Sequence, residues 1–280
     1  MGSLVQLCRS LKGKMFKFIH MKKVFLFLSL LCSLAVVQAQ ELKNTAEVAF
    51  QPGEELLYKL RYGIFTAAEA KLRIIDTDLK FDDRPVFHLI AEGRTSGTFD
   101  IFHRVRNRYD SYIDRKELTP YLYTENIHES SYRRNDKARF YQEQQKVVSN
   151  KGTFKGSAQT FDVISAYYFA RSIDISNIKK GDKFSMSYFL SDGISQLEIE
   201  YLGKEVVRTA LGKFNCLKFS PSIQPGRIFR KDSKLYLWIT DDGNRIPVKA
   251  HVEVLVGSIT MELVNAKGLK YPLAAKKVEP

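Results

Sequence analysis

The chain has 280 residues and a formal net charge of +13, from 44 basic and 31 acidic residues that are spread along the sequence. It shows no fixed-period repeat, coiled coil or low-complexity block, which excludes those architectures. It also lacks a nucleic-acid-binding motif, and this argues against nucleic acid as a partner.

The N-terminus has the three parts of a secretory signal peptide. A short positive region at 21–23 (MKK) precedes an almost wholly apolar run at 24–37, and residues 37–39 (VQA) place compact side chains before a cleavage site. The apolar run is shorter than the roughly 20 residues that a transmembrane helix needs. The pattern therefore predicts export and removal of the leader, not a membrane anchor.

We expect residues 1–39 to form this signal region, with translation beginning at Met15 or Met21 and cleavage near Ala39. The mature protein is then predicted to be periplasmic or associated with the outer membrane. Removal of the leader takes away six basic and no acidic residues, so the net charge falls from +13 to +7. Charges spread in this way are typical of solvated strand faces, and the alternative is peripheral contact with an anionic membrane surface or with polysaccharide.

The mature segment retains a single cysteine, Cys216, and cannot form an internal disulfide. It must fold on its apolar core, and a chain of this length buries roughly 70% of its surface or more. Because Cys216 lies in a strand-like run at 214–219, we expect a buried and unreactive thiol.

Apolar and polar residues alternate through much of the mature chain. Leu56, Tyr58 and Leu60, for example, share one face, while Lys59 and Arg61 share the other. This period of two is typical of antiparallel strands with one buried face. The strands are predicted at 54–63, 66–78, 85–95, 105–114, 118–130, 137–149, 183–190, 194–208, 213–223, 234–241, 245–256 and 258–267.

Short connections rich in Gly, Asp and Asn separate many of these runs and predict hairpins. One segment differs, because residues 162–173 have apolar side chains at helical spacing, with Thr160 or Asp162 as the N-terminal cap. Residues 97–104 are predicted as a loop or a helical turn, and residues 150–160 as a long connection into the helix.

These elements predict a mainly β protein with a single curved antiparallel sheet, or half-barrel, of about 11–12 strands. The sheet is expected to wrap partly around one main helix near residues 162–173. Residues 40–280 are predicted to form one domain, because neither half has enough core-forming residues to stand alone.

The mature region resembles the DUF3108 family of uncharacterised exported bacterial proteins. Residues 53–63 (GEELLYKLRYG) and 67–72 (AAEAKL) are similar to its first two strands, and residues 162–171 (DVISAYYFAR) to its central helix. Residues 237–248 (LWITDDGNRIPV) with 257–259 (GSI) resemble its terminal hairpin. The resemblance implies a largely β periplasmic protein and supplies no activity. The predicted architecture is also similar to that of envelope proteins that carry lipids or lipoproteins in an open half-barrel. This second similarity is an analogy of fold, and fold alone does not determine function.

Aromatic residues cluster in the middle strands, where core packing and the lining of a concave pocket both explain them. A pocket of this kind would suit an apolar or sugar ligand, because tyrosine combines apolar area with a polar tip. The candidate ligand-binding residues are Tyr109, Tyr112, Tyr121, Tyr123, Arg171 and Trp238.

Two of the motifs have strong structural interpretations. Arg171 is too far along the helix to contact Asp162 and is expected to pair with a carboxylate of the sheet. Asp241 and Asp242 are good turn formers, and a catalytic pair would require the turn to bring both towards one substrate. Two further expectations are that Arg245 and Lys249 pair with these carboxylates, and that Pro247 lies at an edge or a bulge.

No recognisable motif for catalysis, phosphate binding or metal binding is present, so no catalytic residue, metal site or cofactor is predicted. The histidines, for instance, lack zinc-motif spacing. The leading hypothesis is a non-enzymatic envelope protein that binds a hydrophobic or amphiphilic molecule, lipid-like or glycan, on the concave face. The alternatives are an envelope-assembly scaffold that binds another protein, and a hydrolase acting on polysaccharide or peptide.

Overall fold

The computed structural model describes residues 47–190, 193–222 and 233–275, which form sixteen strands and two helices. The predicted signal region at 1–39 lies outside these ranges. The helices are α1 (Thr98–Phe102) and α2 (Val163–Arg171). The strands are β1 (Glu55–Tyr62), β2 (Phe65–Ile75), β3 (Lys80–Phe81), β4 (Arg84–Thr95), β5 (Arg106–Asp114), β6 (Pro120–Glu129), β7 (Tyr132–Tyr141), β8 (Lys146–Ser149), β9 (Gly152–Lys155), β10 (Thr160–Phe161), β11 (Lys183–Leu190), β12 (Gly193–Thr209), β13 (Gly212–Pro221), β14 (Leu235–Thr240), β15 (Pro247–Glu253) and β16 (Ser258–Lys267).

The strands form one curved, unclosed sheet in the order β10-β11-β12-β13-β14-β15-β16-β1-β2-β4-β5-β6-β7-β8-β9, and β3 pairs with the start of β4. Among the described strands, only β10 and β11 run parallel, and the other pairings are antiparallel. The predicted mainly β fold, with a curved antiparallel sheet around one main helix, is confirmed.

Three local predictions were wrong. The strand expected at 137–149 is two strands, β7 and β8, because Gln145 adopts a left-handed φ of 48° and closes a turn with Gln142. The connection expected at 150–160 contains the short strands β9 and β10, which are too brief to show a period. The strand expected at 245–256 is shorter, because β15 ends at Glu253, and Val256 lies beyond that end and is exposed.

The register of the central strands separates two faces of the sheet. Leu56 pairs with Leu72, Leu72 with Ala91, and Ala91 with Tyr109, so these side chains share one face. We call this the inner face, because α2 packs against it. The neighbouring row, Leu57, Lys71, Glu92 and Arg108, lies on the outer face and is largely charged.

Helix α2 begins where its sequence predicts. The side chain of Asp162 accepts hydrogen bonds from the backbone N–H groups of Ile164 and Ser165, both at 2.9 Å. The Ser165 hydroxyl pairs with the Asp162 backbone N–H at 2.9 Å, completing a capping box. The Ser111 hydroxyl of β5 donates to the same carboxylate at 2.6 Å. Asp162 therefore both starts the helix and ties it to the inner face.

The helix brings aromatic side chains into the main core. Tyr168 and Phe169 are fully buried, and the Tyr168 ring meets the Phe50 ring edge-on with centroids 5.0 Å apart. Phe169 packs against Phe161 of β10 with centroids 4.6 Å apart. Each such side chain removes a large apolar area from water, and this fixes the helix inside the curve of the sheet.

Candidate functional site

A cleft of about 580 Å³ lies between helix α2 and the inner face of the sheet. It runs along β2, β4, β5, β6 and β7 on one side and α2 with the end of β11 on the other. Its lining is predominantly apolar, with a small number of polar and charged side chains. The lining residues are Leu72, Ala91, Tyr109, Tyr123, Glu125, Ile127, Glu129, Tyr132, Arg134, Val163, Ile164, Tyr167 and Leu190.

Tyrosines form much of the cleft wall. The rings of Tyr109 and Tyr123 lie nearly parallel with centroids 6.4 Å apart, and the Tyr123 hydroxyl donates to Glu125 at 3.3 Å. Burial, reinforced by the negative charge of Glu125, raises the pKa of both phenols. Both hydroxyls therefore stay protonated at neutral pH. The Tyr109 hydroxyl can donate a hydrogen bond to a bound molecule, whereas the Tyr123 hydroxyl already donates to Glu125 and can only accept one.

Polar groups gather where β6 and β7 approach their connecting turn. The Arg134 guanidinium pairs with the Glu125 carboxylate and lies 3.3 Å from Asp136. The Asn107 amide donates to Glu129 at 2.8 Å. Apolar and aromatic side chains thus line most of the cleft, and fixed charges lie at one end. This arrangement is complementary to an amphiphile.

The entrance of the cleft carries apolar side chains that remain in contact with solvent. Val163, the first residue of α2, is 49% exposed, and Leu190 at the end of β11 is 47% exposed. Tyr132, at the start of β7, is also exposed. Exposed apolar groups around an apolar cleft are typical of a binding site.

Only part of the predicted tyrosine set lines this cleft. Tyr109 and Tyr123 line it, whereas Tyr112 and Tyr121 pack around Phe81, with ring centroids 5.7 and 5.5 Å from that of Phe81. Tyr112 also stacks on His88 at 4.4 Å. Tyr112 lies three residues after Tyr109 in β5, so the period of two already places it on the opposite face of that strand. A register shift between β5 and β6 beside Tyr112, which the sequence pattern does not show, displaces Tyr121 from the row of Tyr123.

The Tyr112 region belongs to an ion network. His88 Nε2 lies 2.8 Å from Asp110, and Arg108 donates to the same carboxylate at 2.7 Å. Burial alone would raise the pKa of Asp110, but the hydrogen bonds from His88 and Arg108 outweigh it and lower the pKa to about 2. Asp110 is therefore charged at neutral pH, and its contacts connect β4 to β5.

Arg171 lies in a closed structural cluster. Its Nη1 and Nη2 donate to the two carboxylate oxygens of Glu54 at 2.5 and 2.8 Å, and its Nε and Nη2 donate to the Asn244 carbonyl at 3.1 and 2.9 Å. The side chains of Arg171 and Glu54 are 1% and 0% exposed. The expected pairing with a carboxylate next to the sheet is present. The pair also joins three sequence motifs: the start of β1, the end of α2 and the β14–β15 turn.

Trp238 belongs to a second buried cluster. It is 7% exposed and packs among the apolar residues of β1, β13 and β15, and the Lys218 and Lys249 ammonium groups lie 4.9 and 5.4 Å from its ring. Cys216 lies in the same cluster, and burial raises the pKa of its thiol to about 12. The thiol is therefore protonated and unreactive at neutral pH, as expected from the sequence.

The carboxylates of the β14–β15 turn have structural partners. Asp242 Oδ1 accepts from the Thr240 hydroxyl and from the backbone N–H groups of Asn244 and Arg245, at 2.7, 3.0 and 3.1 Å. Asp241 pairs with Lys204 of β12 at 2.7 Å.

The predicted pairing of Arg245 with these carboxylates is wrong. Its guanidinium donates to the backbone carbonyl of Ile173 instead, and its backbone adopts a left-handed φ of 49°. Lys249, expected to pair there as well, lies over the Trp238 ring. Pro247 pairs with Ile239 beside a register shift, which confirms the expected bulge.

Several cleft residues were missed by the sequence analysis. Leu72, Ala91 and Ile127 appear only as buried strand positions, and Val163 and Leu190 only as helix and strand ends. The period of two does indicate which residues share a face within a strand, but strand order and register are needed to bring them together. Glu125 and Arg134 gave no signal, because their contact depends on the β6–β7 register.

Across residues 47–190, 193–222 and 233–275, no group of three or more His, Cys, Asp and Glu side chains is arranged to hold a metal ion. In the same part of the chain, no helix is long and apolar enough to cross a membrane.

The family model of DUF3108, described as a protein of unknown function, matches residues 57–264. No curated protein gives a significant match. Among solved structures, a β-barrel-like protein of the DUF1849 domain of unknown function from Brucella abortus is similar, with a TM-score of 0.54 and 9% identity over 79% of this chain and 98% of that one. At this identity the similarity concerns the fold alone.

Two further solved structures are more distant. A candidate exported protein with a YmcC-like fold from Bacteroides fragilis has a TM-score of 0.36 and 10% identity, over 79% of this chain and 100% of that one. A candidate lipoprotein from Parabacteroides distasonis has a TM-score of 0.35 and 10% identity, over 80% of this chain and 100% of that one. Scores this low support no argument about this chain.

Proposed function

Because the chain belongs to the DUF3108 family, which has no assigned activity, we propose from its own residues that it is an exported envelope protein that binds a hydrophobic or amphiphilic molecule. The proposal is for binding without catalysis. One observation carries it: the cleft between α2 and the inner face, with tyrosine walls, an apolar entrance and fixed charges at one end.

The dimensions of the cleft support a small ligand. Its volume of about 580 Å³ lies within the range of roughly 300–1,000 Å³ that is usual for small-molecule sites. Leu72, Ala91 and Ile127 supply apolar contact, while the phenol of Tyr109 and the Glu125–Arg134 pair supply polar contacts. A molecule with an acyl or aromatic part and a polar head fits this division best.

The cellular location in the proposal rests on the leader. The basic, apolar and compact-residue segments at 21–39 are those that direct a chain across a membrane. An exported chain meets lipids, lipid-linked intermediates and glycans of the envelope, and the first two are amphiphiles of the chemistry that the cleft favours. We therefore place the protein in the periplasm or at the outer membrane.

A single substitution at the entrance tests the proposal. Val163→Asp places a charge beside the cleft without disturbing the helix, because an acidic side chain in the first helical turn is stabilised by the helix dipole. We expect the affinity for the apolar fluorescent probe N-phenyl-1-naphthylamine to fall about tenfold, since a carboxylate at the entrance opposes an apolar ligand. Probe titration of both proteins measures this change.

Val206→Asp is the matched control. Val206 in β12 is 62% exposed and is not a lining residue of the cleft, so its change should leave probe affinity unaltered. Equal losses in the two variants would mean that the probe responds to surface charge in general. Wild-type protein that does not bind the probe, or a Val163→Asp variant that binds it as well as wild type, would contradict the proposal.

A further inference from the structure

Four connections of the sheet meet at one end, which we call the turn rim. Tyr62 at the end of β1 pairs with Ile259 at the start of β16, so the β15–β16 turn lies beside the β1–β2 turn. Ala68 near the start of β2 pairs with Thr95 at the end of β4, which places α1 next in line. The bridge between Val105 and Glu129 then adds the β6–β7 turn.

Hydrogen bonds hold these turns together. The Tyr62 hydroxyl donates to the Val256 carbonyl at 2.7 Å, which connects the β1–β2 and β15–β16 ends. The backbone N–H of Ser130 donates to the Arg104 carbonyl at 2.7 Å, which connects the β6–β7 turn to the segment after α1. The turn rim is therefore one connected surface.

The tips of this rim carry most of the strongly exposed apolar residues of the described chain. Six large hydrophobic side chains on three adjacent turns are 56–89% exposed. In residues 47–190, 193–222 and 233–275, Val206 is the only other large hydrophobic residue that is more than 56% exposed. Apolar side chains scattered singly need no explanation, but a contiguous group indicates a contact surface. The six residues are Ile64, Phe65, Ile101, Phe102, Leu255 and Val256.

Cations surround these tips. Arg104 follows α1, Arg133 follows the β6–β7 turn, and both are exposed. Arg61 precedes the β1–β2 turn. Two acids lie beside these arginines, the exposed Glu253 before the β15–β16 turn and Glu129 before the β6–β7 turn. Three cations therefore face two acids, and the balance of these five charges is positive.

Two further arginines near the rim are matched by acids. Arg106 pairs with Asp100 at 2.6 Å and Arg94 with Glu69 at 2.7 Å. The positive balance therefore comes from Arg61, Arg104 and Arg133, which do not belong to these two ion pairs.

We propose that the turn rim inserts its apolar tips into a lipid bilayer whose anionic headgroups contact Arg104 and Arg133. Apolar side chains on turns enter the boundary of headgroups and acyl chains, while arginines beside them bind lipid phosphates. Ile101 and Phe102 sit on α1, whose short length presents both outward without a buried residue. This proposal goes beyond ligand binding in the cleft and does not depend on it.

The turn rim lies next to the cleft. The charged end of the cleft, with Glu129 and the exposed Tyr132, is formed by the two ends of the β6–β7 connection. Leu190, at the cleft entrance, is the last residue of β11. Docking through the turn rim would therefore bring the cleft close to the membrane from which an amphiphile would enter.

Flotation with vesicles tests the proposal. Wild-type mature protein should float with vesicles of phosphatidylethanolamine and phosphatidylglycerol and bind less to phosphatidylcholine vesicles. An Ile101→Ser/Phe102→Ser double variant should lose binding about tenfold or more, because two apolar contacts are removed. An Arg104→Gln/Arg133→Gln variant should lose about tenfold on the anionic vesicles, and added salt should reproduce that loss.

The control is Leu79→Ser/Lys80→Gln. These exposed residues follow β2 at the opposite end of the sheet, so binding should stay at the wild-type level. Three results would overturn the proposal: wild type that floats with neither vesicle, a serine variant that floats as wild type does, or lipid-free dimers that the serine variant abolishes. Probe binding in the cleft is measured without vesicles, so the two proposals can fail separately.

Discussion

Arg171→Met should lower the free energy of unfolding by about 3–5 kcal/mol, which is the usual cost of leaving one member of a buried ion pair without its partner. The Glu54 carboxylate, which is fully buried, would lose both of its guanidinium hydrogen bonds. The Asn244 carbonyl would lose two more. For a domain of this size the melting temperature should fall by about 10 °C. Urea and thermal unfolding measure both quantities.

Two comparisons make this prediction specific. Lys183→Met breaks an exposed pair with Glu198 and should cost far less, because solvent and salt screen an ion pair at the surface. A Glu54→Leu/Arg171→Met double variant should lose less than the sum of the two single losses, because neither charge is then left alone. If Arg171→Met were no more destabilising than Lys183→Met, the central role given to this pair would be wrong.

Asp162→Ala should lower the free energy of unfolding by about 2–3 kcal/mol. The helix cap contributes about 1–2 kcal/mol, and the Ser111 hydroxyl, which donates to Asp162, would be left buried without that acceptor. The variant should also fray the start of α2, which forms one wall of the cleft. Probe affinity should therefore fall together with stability, and chemical unfolding with probe titration measures the two effects.

Asp162→Asn is the conservative control. Asparagine caps helices about as well as aspartate, and Ser111 can pair with its amide. This variant should keep most of the stability and the probe affinity. A large loss in Asp162→Asn, equal to that in Asp162→Ala, would show that the negative charge matters and that the hydrogen-bond geometry alone does not account for it.

The fold could be predicted from the sequence because most strands carry their own signal. The alternation through β1 and β2 and the turn residues between β14 and β15 define strand positions to within a few residues. Asp162 likewise identifies the start of α2, since a short acidic side chain before an apolar helical pattern satisfies the free N–H groups. The missed strands β3, β9 and β10 are only two, four and two residues long and had no such pattern.

The cleft could be predicted only in part. Tyr109 and Tyr123 were named because tyrosine suits a half-polar wall, but Tyr112 and Tyr121 share that chemistry and lie elsewhere. Tyr112 lies three residues from Tyr109, so the period of two already places it on the other face of β5. Tyr121 is displaced by the register shift beside Tyr112, which arises from pairing between strands. Arg171 was a candidate for a ligand contact and was also expected to pair with a carboxylate, and the structure gives it the buried partners Glu54 and Asn244.

The turn rim illustrates a third limit. Ile101 and Phe102 on α1 and Val256 after β15 are unremarkable in sequence, since isolated apolar residues in turns are common. Their significance appears only when the antiparallel order brings three turns to one end of the sheet. Long-range strand order, which local pattern does not specify, is therefore the information on which both proposed surfaces depend.

Native mass spectrometry of the protein purified from its own envelope fraction tests most directly the claim that the cleft binds a small amphiphile. We expect a one-to-one complex with a small amphiphile in the wild type and in Val206→Asp, and mostly bare polypeptide in Val163→Asp. Wild type that carries no small molecule, and is instead recovered in a stoichiometric complex with another protein, would contradict ligand binding and favour a scaffold.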